Sequence, residues 1–300
     1  MLYQTFAQVA KLFLFMLTGY ILTRKKILPD QAAKCLSVFL VWISCPALYF
    51  YSFATQFTVA QLRSSAALIG VCIVGLAASY LIAVLTGRFV TKDKYTRDVY
   101  TYSLCVPNYG YMGYVLVLAL MGEAALLKFQ IFVIPVTVFM LTKGYAMLLK
   151  QKVNAKNLLN PMMIAMVAGM IVGLLGIEIP EILLDTMKGA SDCMGPLSMT
   201  LAGCVIAGFD LKKVLSSKAI YITVAVKMIL MPLLVVAVGR LIALPQEYLS
   251  MLLIFQCLSV GLNSVVYPST VGEDCSFGAG LAVVCNCTAL ITVPIFMSLI

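Results

Sequence analysis

Apolar runs of about 20 residues, separated by short polar breaks, follow one another along the whole chain. Ten can be drawn, at 3–23, 31–53, 65–88, 98–121, 124–149, 158–178, 182–208, 219–241, 247–270 and 278–300. A helix crosses a bilayer only if about 20 predominantly apolar residues keep every backbone N–H and C=O paired within the segment. The pattern therefore predicts an all-α polytopic membrane protein with ten transmembrane helices. The connections are too short for a separate soluble domain. The first run is not flanked like a signal peptide: no Lys or Arg precedes it, whereas Arg24, Lys25 and Lys26 follow it, so it is expected to be retained.

Punctuating residues recur when the first half of the chain is laid over the second, a sign of internal duplication. Pro46 in span two answers Pro196 in span seven, Asn108 in span four answers Asn263 in span nine, and Pro135 in span five answers Pro294 in span ten. The predicted repeats are 1–150 and 151–300, five spans each. An odd number of spans forces the second repeat to enter the membrane from the opposite side. Such inverted repeats are the usual plan of secondary transporters, with the binding site near the midplane where broken helices of the two halves meet.

Spans four and nine carry the polar interruptions. In span four, Pro107 removes a helical hydrogen bond, and Gly110 and Gly113 relax the backbone around Asn108. In span nine, Ser259, Gly261, Asn263 and Ser264 form a flexible polar insertion at similar depth, and Pro268 follows. A helix restarted in mid-membrane presents unpaired N–H groups and the positive end of its dipole, which attract an anion. Two such ends in one cavity, with the Asn108 and Asn263 amides, predict a site for a small organic anion such as a carboxylate. The substrate-binding candidates are Asn108, Gly110, Asn263, Ser259 and Ser264; Pro107, Gly113 and Gly261 are the helix-breaking ones.

Composition agrees with this picture and narrows the chemistry. Of the 300 residues, 62% are hydrophobic and 11% charged, against about 25% charged in soluble domains. The net charge of +9 lies in clusters between apolar runs and not on one face, which argues against nucleic acid. Fourteen of the 21 Lys and Arg follow spans one, three, five and seven, so both termini are predicted outside a cell (inner) membrane. No histidine is present, which removes Ser-His and Cys-His nucleophiles and imidazole metal sites. The ten cysteines read as packing residues, and Cys285 and Cys287 have no partner ligands for a metal. An intramembrane enzyme is therefore disfavoured, and neither cofactor nor metal is expected.

The chain resembles the auxin efflux carrier family of permeases, which includes plant auxin exporters and bacterial malate- or malonate-carrier-type members. The resemblance rests on Gly19-Tyr20-Ile21-Leu22 before a basic turn, Pro46, Asn108-Tyr109-Gly110-Tyr111-Met112-Gly113 followed by Gly122-Glu123, Asn160-Pro161, Pro196-Leu197-Ser198, and Thr292-Val293-Pro294. It implies a scaffold domain and a transport domain, an elevator-type motion, and Asn108 and Asn263 as the crossover asparagines. Val115 and Ser259 stand where the family often has proline.

Lys227 lies inside span eight before Pro232, and an intramembrane cation is a functional candidate by its cost. Three readings are open: balancing an anionic substrate, pairing with Asp192 as part of charge balance or coupling, or snorkelling to the cytoplasmic interface. Lys11, Lys143 and Lys188 read as snorkelling or locally paired, and Trp42 and the tyrosines as interface anchors. The alternatives to an organic-anion permease are a sodium-coupled symporter of bile-acid-transporter type and, further off, a channel or sensor. Proton or sodium coupling and a homodimer remain options; the bilayer is the surrounding partner.

Overall fold

The computed structural model describes residues 2–299, and they are almost wholly helical. The helices are α1 (Leu2–Arg24), α2 (Ala32–Gln56), α3 (Val59–Val90), α4 (Lys94–Cys105), α5 (Tyr109–Met121), α6 (Glu123–Phe132), α7 (Ile134–Leu149), α8 (Pro161–Leu175), α9 (Glu181–Ala207), α10 (Lys218–Leu241), α11 (Gln246–Cys257), α12 (Asn263–Thr270) and α13 (Ser276–Met297). Large apolar side chains such as Leu85, Phe89, Ile182 and Ile291 are exposed on the outer surface, as suits contact with lipid.

By length and composition, not all ten predicted spans appear as long crossing helices. Among the described residues, six helices are long and apolar enough to cross a membrane, and a seventh crossing results if α6 and α7, bent by 45°, are taken together. Two of the runs are interrupted where the sequence places its polar breaks. The runs at 98–121 and 247–270 are each split into two pieces, and the run at 158–178 yields a helix of only 15 residues, Pro161–Leu175. That helix begins where the sequence says it should. Asn160 caps it by accepting the Met163 N–H at 3.1 Å, with Pro161 in the first turn, where no N–H is needed.

Two groups of helices pack differently. In the first group, α1 lies along the second half of α9 and α8 along α2. Glycines set the spacing between α1 and α9: a Cβ at Gly203 would collide with the Met16 carbonyl, and one at Gly19 with that of Thr200. This is the small-residue packing expected where helices associate without a hydrophobic driving force. The second group holds α3 to α7 and α10 to α13 and contains both broken helices.

Four single π-helical turns stand in these helices: Leu40–Ser44, Met140–Gly144 and Val226–Leu230 within α2, α7 and α10, and Tyr109–Gly113 at the start of α5. Such turns cluster at functional sites because they re-aim neighbouring side chains. Three of the four border the central cavity, and the fourth carries Lys227.

Candidate functional site

The two broken helices cross at their interruptions. α4 ends at Cys105 because Val106 is no longer helical and Pro107 brings no N–H; α5 restarts at Tyr109. α11 ends at Cys257, Leu258 is extended, and α12 restarts at Asn263. The extended segments meet as an antiparallel bridge between Pro107 and Val260. Asn108 donates its N–H to the Ser259 carbonyl at 2.8 Å, and Gly261 donates to the Val106 carbonyl at 3.4 Å. Each break thus satisfies part of the other's backbone, as buried polar groups require. Gly261 allows the approach, since a Cβ there would lie 3.1 Å from the Val106 oxygen.

A cavity of about 400 Å³ opens against this crossing, within the range of small-molecule sites. Pro107, Asn108, Gly110, Gly261 and Asn263 all line it, so five of the residues singled out from the sequence converge on one space. Among the described residues, the N–H groups of Gly110, Tyr111, Leu262 and Asn263 have no backbone or side-chain acceptor, and all four residues border the cavity. They belong to the first turns of α5 and α12 and to the residue before α12, so two positive helix ends face the same volume. The Asn108 side chain is 6% exposed and makes no hydrogen bond among the described residues, which leaves its amide available to a ligand. The Asn263 amide instead donates to the Met140 sulfur at 3.2 Å.

Other candidates stand elsewhere. Ser259 and Ser264 are fully buried but do not line the cavity: the Ser259 hydroxyl points at the Met112 sulfur, 3.6 Å away, and the Ser264 hydroxyl donates to the Gly261 carbonyl at 2.8 Å. Gly113 is not a breaking residue. It lies inside the continuous α5, where a Cβ would press on Leu258 and Phe129.

The pairing of Lys227 with Asp192 does not form. Lys227 is fully buried and donates to the Gln256 carbonyl oxygen at 3.0 Å, while Asp192 is exposed on α9 beside a separate cavity of about 90 Å³. Asp192 stands on α9 of the first packing group and Lys227 on α10 of the second, and the packing does not bring them together. Lys188 pairs with Glu123 at 3.1 Å, and Lys143 donates to the Tyr80 hydroxyl at 2.6 Å, so both are locally paired.

Sequence reasoning missed the walls. Tyr49, Tyr109, Tyr111, Tyr114, Tyr145 and Tyr267 line the cavity, so these tyrosines are not interface anchors. Tyr145 and Tyr267 stack with ring centroids 4.4 Å apart, Tyr49 and Tyr114 share a short hydroxyl contact, and Tyr109 hydrogen-bonds Thr137 at 2.9 Å. The signal available was Tyr109, Tyr111 and Tyr114 clustered around the break. Lys156, exposed in the connection between α7 and α8, is the one cationic side chain among the described lining residues.

The chain matches the model of the family described as "Membrane transport protein" over residues 4–155 and again over residues 146–297. Two matched segments of nearly equal extent suit an internal repeat. The bile-acid-transporter alternative receives no support from this match. No curated protein matches the chain.

Proposed function

The chain belongs to the membrane transport protein family, the auxin-efflux-carrier-like permeases, and from that premise we propose that it carries a small organic anion across the membrane by alternating access at the α4–α5 and α11–α12 crossing. The observation that carries this reading is that Gly110, Tyr111, Leu262 and Asn263, whose N–H groups have no acceptor among the described residues, border one cavity at two helix starts. A carboxylate is the fitting ligand. Its two oxygens can accept from these donors and from the Asn108 amide, while each helix dipole favours the negative charge. The rest of the substrate would lie against the tyrosine rings and Met140. Lys156 adds attraction for an anion at the rim.

The finer architecture belongs to the same proposal. We take the chain as ten crossings in two inverted repeats, 1–150 and 151–300, with α4–α5 and α11–α12 as broken spans. The cavity reaches the connection that carries Lys156, Asn157 and Leu159. The Lys and Arg bias places that connection inside, which would make this the inward-open state, with both termini outside a cell membrane. The group formed by α1, α2, α8 and α9 would serve as scaffold and the group holding the crossing as the moving part, in an elevator-type motion.

Counterflow of radiolabelled carboxylates in proteoliposomes tests the function. Saturable, trans-stimulated exchange of a small carboxylate is expected. Non-saturating, electrodiffusive flux, or no flux with any carboxylate, would contradict it.

A further inference from the structure

Lys227 is the one lysine among the described residues that is fully buried, and it plays no part in lining the cavity. The π-helical turn Val226–Leu230 presents it inward from α10. Its ammonium has three donors and, among the described residues, a single hydrogen-bond acceptor, the Gln256 carbonyl oxygen at 3.0 Å. Gln256 passes the chain on through its amide to the Ser79 hydroxyl at 2.8 Å, and Ser79 donates to the Gly75 carbonyl at 2.8 Å. The Phe255 ring centroid lies 5.9 Å from the charge. Among the described residues no carboxylate lies within ion-pair distance, and the ionisable neighbours are the thiols of Cys105, Cys257 and Cys285.

A buried ammonium with one neutral acceptor keeps its charge only beside a further source of negative potential. Two of those neighbours identify the source. Cys105 is the last residue of α4 and Cys257 the last residue of α11. The C-terminal, negative end of α11 thus lies beside Lys227, which bonds Gln256 next to Cys257, and the α4 end at Cys105 is another of its electrostatic neighbours. In transporters built on broken helices, such C-terminal ends and unwound carbonyls are where coupling cations bind.

We propose that Lys227 is a tethered cation filling the place where the C-terminal ends of the two broken arms would otherwise hold an alkali ion such as sodium, so that carriage of the organic anion is sodium-independent and requires this fixed charge. The proposal rests on the transport reading above. Its place in the sequence is unlike that of a packing residue: the charge, and not the bulk of the side chain, is what the site uses.

The test is carboxylate counterflow in proteoliposomes, with equal salt on both faces, for wild type, Lys227→Met and Lys227→Ala. Wild type should exchange equally in sodium and in N-methylglucamine salts; a sodium requirement overturns the proposal. Lys227→Met should melt at or above the wild-type temperature, since an apolar isostere relieves a buried charge, yet exchange at least about tenfold more slowly. Lys227→Ala should regain rate with n-propylammonium on both faces and not with n-propanol. Wild-type exchange by Lys227→Met, or a fall in melting temperature with no amine rescue, overturns the fixed-charge role. If wild type itself shows no carboxylate exchange, the transport reading fails and takes this proposal with it, a result distinct from loss in the variants alone.

Discussion

The two breaks that meet at the crossing are built by different means, and the difference shows what a broken membrane helix needs. At the first, Pro107 stops α4 abruptly and α5 resumes two residues later through a wide π-helical turn, in which the Asn108 carbonyl accepts from both Met112 and Gly113. At the second no proline intervenes. Five residues from Leu258 to Leu262 run out of helix, and the short α12 follows with Pro268 inside it. The second break is held open by its partner: the Ser259 carbonyl and the Gly261 N–H are taken up by Asn108 and Val106 of the first. One break is written in its own sequence, and the other depends on the first being there.

The asparagines differ in the same sense. Asn108 is buried with a free amide, whereas the Asn263 amide is engaged by the Met140 sulfur. The largest effect is therefore expected at the first break. Asn108→Ala removes a hydrogen bond to a charged ligand, worth about 1.5–3 kcal/mol, or roughly 10- to 150-fold in apparent affinity. Equilibrium binding of a carboxylate should show this loss while the melting temperature stays close to that of wild type.

Next comes the dependence of the second break on the first. Gly261→Val would push a branched side chain against the Val106 oxygen, 3.1 Å from an ideal Cβ, at a cost of about 1–3 kcal/mol in stability. It should lower both the melting temperature and the exchange rate; unchanged values for both would show that the two segments do not need their mutual pairing. Asn263→Ala should cost less than Asn108→Ala, about 1 kcal/mol or roughly fivefold in affinity, because its amide already has a partner. Equal losses for the two asparagines would erase the asymmetry drawn here.

The crossing was legible in the sequence because asparagine, proline and glycine stand out in an apolar run, and because Asn108 and Asn263 fall at corresponding places in the two halves. The breaks at Pro107 and Gly261 could be placed to within a few residues for the same reason. The short helix at 158–178 was not legible, since a hydropathy window counts apolar residues and not where the helix ends, and only 15 of them, Pro161–Leu175, are helical. The tyrosine walls were hidden because an amphipathic ring suits a membrane interface and a ligand cavity equally. Lys227 was visible as an anomaly, but its partner was not: Gln256 is 29 residues away, and only the packing of α10 on α11 sets their common depth.

The smallest effect lies at the far ends of the two arms. Asp93 caps α4 by accepting from the Thr96 N–H at 2.7 Å and its hydroxyl at 2.8 Å, while α11 follows Pro245 with no side-chain cap. The Thr96 N–H and hydroxyl hold the Asp93 carboxyl below its usual range. Asp93→Ala should cost about 1 kcal/mol of stability and leave exchange unaltered. Because the folded value is the lower one, the cap contributes fully above the ordinary carboxylate value of about 3.9 and fades as pH falls further. Melting curves of wild type and Asp93→Ala should therefore differ at neutral pH and draw together in acid.

The most direct test of the shared anion site is a crystal structure with a bromine-labelled carboxylate bound, its position fixed by anomalous scattering. The carboxylate is predicted at the crossing, within hydrogen-bond reach of the Asn108 amide and of the N–H groups at Gly110, Tyr111, Leu262 and Asn263, with the bromine among the tyrosines. A carboxylate held elsewhere, or one seated in the cavity with its charge turned away from both helix starts, would contradict the account.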